Sequence, residues 1–196
     1  MISPFDPAAT AAAGFAYLNR TEDTVRGVYA VERFDWRYGT CATLDGYVAR
    51  YGRPYHLGRR PAGLGKGPPK SCFATCRETV ASHPERLRYV EGFAVVEHMP
   101  FPFHHAAVYD VHTRSVFDLV LPDGDLPAVI VGFVFAPAAV AGAARAGCLL
   151  DDGRGRPTFD PDAVAALTED VPAHFVFVPD PPPSPPERNR RRDPRH

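Results

Sequence analysis

The 196-residue chain contains no glutamine and only two lysines; 20 of its 22 basic residues are arginines. Its net charge of −1, with both signs spread along the folded part, gives no field of one sign. Binding of nucleic acid or of a membrane surface by the domain therefore has no electrostatic support. No stretch reaches the ~20 consecutive apolar residues of a bilayer span, because Ala128 to Ala146 is interrupted by glycines, Pro137 and Arg145. The opening Met1-Ile2-Ser3-Pro4-Phe5-Asp6 lacks the basic start and apolar block of a signal peptide, so a cytoplasmic location is expected. Four cysteines, at 41, 72, 76 and 148, are too few and too unevenly spaced for a disulfide framework, and reduced thiols are expected.

What is present is 45 % hydrophobic residues, enough in a chain of this length to bury one sizeable core. A single domain over 1–178, with its core at 68–135, is expected. After it, Pro181-Pro182-Pro183-Ser184-Pro185-Pro186 and the following arginines predict an extended, disordered tail over 179–196.

Thr21 as N-cap, with Glu22 and Asp23 behind it, predicts a helix near 22–34; a second is predicted over Cys41 to Tyr51, ended by Gly52 and Pro54. The glycine- and proline-rich run from Gly58 to Pro69 reads as loop. Ser71 can cap a helix from Cys72 to Ser82, closed by His83-Pro84. Strands follow at Leu87 to Glu97, Phe103 to Val111, Ser115 to Leu121 and Ala128 to Phe135, the middle two joined by a hairpin at His112-Thr113-Arg114. Beyond them, helices are predicted at 137–147 and 160–168, and a last strand at 175–178. The order gives an α+β fold: N-terminal helices and a cysteine-bearing helix packed on an antiparallel sheet.

Cys72 opens a helix, where the positive end of the helix dipole favours a thiolate; Lys66 and Lys70 stand nearby. The competing reading of Cys72 is a small buried hydrophobe. His105 and Asp118 fall on neighbouring strands of the hairpin, and an aspartate among apolar strand residues needs a partner. Paired, they would fix the imidazole tautomer and leave its other nitrogen for Cys72, as an activated nucleophile requires. His104 competes with His105 for the base role, although strand alternation lets only one face the cysteine. Glu91 reads either as a carboxylate of the cleft or as a solvated strand residue.

Lys70-Ser71-Cys72-Phe73-Ala74, His104-His105-Ala106-Ala107-Val108 and Val116-Phe117-Asp118 follow the order of the papain-like and transglutaminase-like thiol enzymes, which this chain resembles. Tyr89-Val90-Glu91-Gly92-Phe93-Ala94 is similar to a segment of uncharacterised bacterial members of that group. The resemblance covers about 68–135. It implies a papain-like core and a Cys72–His105–Asp118 triad that attacks an amide or ester of a small molecule, peptide or protein through a thioester, with no cofactor. Without a glutamine, the side-chain oxyanion donor of papain-like proteases is missing. The N–H of Cys72, or Lys70, would have to serve. The aromatic residue often found two places after the histidine is here Ala107.

Two rival classes are a binding or accessory protein on the same fold and a zinc domain. For zinc, Cys72 and Cys76 share a helix face and His83 returns near it.

Overall fold

The computed structural model describes residues 5–28, 41, 43–142, 148–150 and 168. Helix α1 (Pro7–Val28) starts where Asp6 accepts the N–H groups of Ala8 and Ala9 at 2.9 and 3.1 Å, with proline at its first position. Thr21 is therefore interior to a helix rather than a cap, and its hydroxyl donates back to the Tyr17 carbonyl. Helix α2 (Leu44–Tyr51) is capped by Thr43, whose hydroxyl accepts from Gly46 N–H at 3.0 Å. Glu22 of α1 in turn accepts the N–H and hydroxyl of Thr43, which ties the two helices together.

Five strands close into a barrel: β1 (Arg53–Gly58), β2 (Leu87–Val95), β3 (Phe103–Asp110), β4 (Ser115–Phe117) and β5 (Ala128–Phe135), in the order β1-β4-β3-β2-β5. The fold is α+β, but the sheet is neither open nor wholly antiparallel, since β1 and β4 run parallel. The core also begins earlier than residue 68. The segment after α2, read from sequence as a helix stop and loop, forms β1, which fills the gap between β4 and β5. Helix α3 (Cys72–Ser82) packs on β2 and β3, and α4 (Pro137–Gly142) packs against α3. The predicted helix at 160–168, the strand at 175–178, the tail, and the far end of the helix at 137–147 lie outside the described residues, apart from Thr168, which bridges to Phe135.

Strand alternation divides the apolar side chains in two. Tyr55, Leu57, Val90, Ala107, Tyr109, Val116, Ile130 and Val134 pack together without any helix residue and fill the barrel. Tyr89, Phe93, Val108, Phe117, Val131, Phe133 and Phe135 face outward against α1, α2 and α3. Closure is tightest where Gly92 and Gly132 are opposite each other on β2 and β5. A Cβ on Gly92 would lie 2.0 Å from the Val131 carbonyl oxygen, so only glycine lets the two backbones approach this closely.

Among the described residues, no helix is long and apolar enough to cross a membrane.

Candidate active site at the start of helix α3

The turn before α3 is stiff. Pro68 and Pro69 are followed by Lys70 at φ 65°, a left-handed conformation that turns the chain into the helix. Ser71 does not cap the helix with its side chain; its hydroxyl donates to the Pro68 carbonyl at 2.6 Å and shares a hydrogen bond with Thr75. The first N–H groups of α3, which have no partner within a helix, are thus left to other acceptors. One of them, Phe73 N–H, is near enough to the Cys72 sulfur to help lower its thiol.

The rest of the cysteine's surroundings follow from the shortness of β4. Because β4 ends at Phe117, β3 is paired with it only from Val108 to Asp110, and the edge of β3 at Ala106 is open. Helix α3 covers that edge. The Ala106 backbone lies close enough to the Cys72 sulfur to help lower its thiol, and the Ala106 carbonyl accepts from the Cys76 thiol at 3.5 Å.

Asp118 ends β4 rather than lying within a longer strand. One carboxylate oxygen accepts the N–H groups of Val120 and Leu121, and this side-chain turn pulls the chain out of extended geometry. The other oxygen accepts from His105 Nε2, and the Asp118 N–H donates to the Gly58 carbonyl at 3.1 Å. With Nε2 engaged, Nδ1 of His105 is the nitrogen left for Cys72, with which the imidazole interacts. His105 and Asp118 are both buried, at 3 % and 2 % exposure.

The electrostatics favour a thiolate–imidazolium pair. Burial pushes the Cys72 thiol up, but the hydrogen bond and charge of His105, with the Ala106 and Phe73 N–H groups, outweigh it and bring the thiol below its ordinary value. Burial pushes His105 down, yet Asp118 and Cys72 raise it to about 9. Asp118 is itself pushed up by burial and brought below the usual carboxylate range chiefly by His105. Cys76, one helical turn deeper, goes the other way: burial, then the charges of Asp118 and Cys72, push its thiol well up. None of the four cysteines is in a disulfide, and the site discriminates between Cys72 and Cys76, four residues apart.

His104 is not the base. It lies on the opposite face of β3, where Nε2 meets Glu91 at 3.0 Å and the ring sits between Phe73 and Phe93, at centroid distances of 4.9 and 5.6 Å. Glu91 is fully buried, which overturns the solvated-strand reading, and it faces away from the triad. Its oxygens accept from Tyr89 hydroxyl at 2.8 Å, from Leu149 N–H at 2.7 Å and from Leu150 N–H at 2.8 Å, so it anchors the returning chain to β2. Lys70 is exposed, and among the described residues no hydrogen bond or ion pair joins its ammonium to the triad.

The zinc set Cys72, Cys76 and His83 is not assembled. Cys76 is fully buried on the Ala106 carbonyl, while His83 is exposed at the far end of α3 and bonds to the Thr79 carbonyl. Among the described residues, the metal-type donors that do converge are Glu91, His104 and Cys148, within 4.8 Å of one another. Both Glu91 oxygens already accept two hydrogen bonds, and His104 Nε2 is one of the groups engaged, so a cation there would have to displace existing partners.

Sequence reasoning did not find the Ala106 backbone groups or the glycine contacts at Gly58 and Gly67 that hold the Asp118 segment, because backbone roles leave no residue-type signal. Comparison with family models, with curated proteins and with solved structures gives no match to this chain.

Proposed function

We propose that this chain is a thiol-dependent acyltransferase or hydrolase, akin to the papain-like and transglutaminase-like enzymes it resembles, with Cys72 as nucleophile. The observation that carries the reading is the chain of contacts from the Asp118 carboxylate through His105 to a sulfur at a helix start.

In the proposed cycle the Cys72 thiolate attacks an amide or ester carbonyl. A C–S bond forms and the carbonyl electron pair moves to oxygen. As that pair returns, the bond to the leaving amine or alcohol breaks, and the leaving group takes a proton from His105 Nδ1. Neutral His105 then takes a proton from water or an acceptor amine attacking the thioester, and expulsion of the thiolate restores the starting pair. The Cys72 N–H, at the first position of α3, is the donor best placed for the oxyanion, in place of a glutamine side chain.

A second reading, a binding or accessory protein on the same fold, is favoured by one observation: Cys72 is only 8 % exposed, and a substrate carbonyl must reach its sulfur. A chloroacetamide probe applied at about pH 6, well below the ordinary thiol value, decides between them. The enzyme reading expects Cys72 to be labelled ahead of Cys41, Cys76 and Cys148, with labelling lost in His105→Ala. Four thiols reacting alike would sink it.

A further inference from the structure

Residues 58–70 read Gly-Arg-Arg-Pro-Ala-Gly-Leu-Gly-Lys-Gly-Pro-Pro-Lys: four basic residues and no acidic one, in a chain of net charge −1. Both ends of this loop are fastened to consecutive residues of the candidate site. The Gly58 carbonyl accepts from Asp118 N–H at 3.1 Å, and Gly67 N–H donates to the Leu119 carbonyl at 2.8 Å. Gly67 also lies against Thr75 of α3, where a Cβ would come within 2.5 Å of the Thr75 hydroxyl, and Leu64 packs on the helix-side core. The loop thus leaves and rejoins the fold beside His105's partner, then runs three residues on into Ser71 and Cys72. Arg59, Lys66 and Lys70 are exposed and Arg60 is half-buried.

The carboxylates on the facing segment are occupied. Asp118 is held by His105, Asp123 faces Lys66 at 3.8 Å, and Asp125 faces His98 at 3.3 Å. Among the described residues no carboxylate pairs with Arg59, Arg60 or Lys70, so within these residues the loop carries positive charge without a paired carboxylate, which would raise the local concentration of anions.

We propose that this loop selects anionic substrates for the Cys72 site: amides or esters bearing a carboxylate within a few bonds of the carbonyl that the sulfur attacks. The proposal rests on the acyl-transfer reading given above and names the substrate class of that same site.

The test compares alkylation of Cys72 by iodoacetate and by iodoacetamide, mapped by mass spectrometry, at low ionic strength. Wild type, Arg59→Glu/Arg60→Glu and Arg59→Gln/Arg60→Gln are measured side by side. The ratio of the two rates cancels the thiolate fraction, since one sulfur reacts with both reagents. His105 attracts iodoacetate in all three proteins, so the change between proteins is the readout. The iodoacetate preference is expected to fall about three-fold or more in the glutamate pair, with the glutamine pair intermediate, and the differences to collapse by roughly 0.5 M salt. An unchanged ratio in the folded glutamate pair overturns the proposal while fast Cys72 alkylation leaves the triad standing. Should the glutamate pair not fold, the glutamine pair decides in the same way. Cys72 alkylation no faster than that of a free thiol, with either reagent, overturns the acyl-transfer reading and this proposal with it.

Discussion

His105 donates through Nε2 to Asp118, and Asp118 is fixed in turn by the N–H groups of Val120 and Leu121 on its other oxygen. The carboxylate is therefore both a charge and a rigid bracket for the imidazole. Asp118→Asn keeps the Val120 and Leu121 contacts, removes the charge and turns an NH2 donor toward His105 Nε2, so neutral imidazole carries its proton on Nδ1. With the charge gone, His105 drops below its value of about 9 and the Cys72 thiol rises, because the imidazolium that stabilises the thiolate is less populated. The pH profile of iodoacetamide alkylation is expected to shift upward by about one pH unit or more, with a roughly ten-fold loss of rate near pH 6. A profile identical to wild type would show that Asp118 does not tune the site.

Stability should also report the pair. His105 has a raised folded value, so its contribution is fully present below the unfolded value of 6.5 and is lost as pH rises towards about 9. Cys72 is lowered, so its contribution is absent at acid pH and grows as pH rises through its folded value towards the ordinary 9.0. In wild type the two trends oppose each other where they overlap, which flattens the stability curve. In Cys72→Ala only the His105–Asp118 trend is left, with His105 raised less than in wild type, and melting temperature is expected to fall as pH rises above 6.5 more steeply than in wild type. Parallel curves for the two proteins would mean that no ion pair forms.

How much of this was legible in the letters depends on the kind of signal. The helix from Cys72 to about Ser82 and the strand Ala128 to Phe135 are legible, because proline punctuates the first on both sides and the second is a continuous apolar run bounded by prolines. The pairing of His105 with Asp118 was legible from the cost of a buried carboxylate. The strand around Asp118 was read too long, since the aspartate takes Val120 and Leu121 N–H groups that a strand would have paired elsewhere. β1 was missed because Gly52 and Pro54 looked like stop signals; Pro54 in fact lies within the strand, paired with Val131 of β5. Glu91 was misread because its partners at Leu149 and Leu150 are almost sixty residues away and are backbone groups, which composition does not reveal.

Glu91 separates a structural role from a chemical one. Glu91→Ala strands the Tyr89 hydroxyl, the Leu149 and Leu150 N–H groups and His104 in a buried place, and a loss of about 3 kcal/mol or more is expected in chemical denaturation. Glu91→Gln keeps acceptors for some of these groups and should cost less. Because Glu91 faces away from Cys72, the pH profile of Cys72 alkylation should be the same in folded Glu91→Gln as in wild type. A shifted profile would place Glu91 in the reactive site after all.

The barrel makes its own prediction at Gly92, which stands opposite His105 on one side and Gly132 on the other. A methyl group at Gly92 would lie 2.0 Å from the Val131 carbonyl oxygen and 2.5 Å from the Gly132 Cα, and one at Gly132 would lie 2.2 Å from the Glu91 carbonyl oxygen. All of these are backbone atoms, so no side-chain rotation relieves the clash and β2 and β5 must separate. The barrel would loosen at β2, the strand paired with the one that carries His105. Gly92→Ala and Gly132→Ala are each expected to lower stability by about 3 kcal/mol or more, at the upper end of single-substitution effects. Gly63→Ala, at an open loop position with φ 95°, should cost about 1 kcal/mol from its backbone conformation alone. In Gly92→Ala, Cys72 alkylation near pH 6 should also slow, since the imidazole loses its fixed distance to the sulfur. A stable Gly92→Ala protein with wild-type alkylation would contradict the closed-barrel geometry at this point.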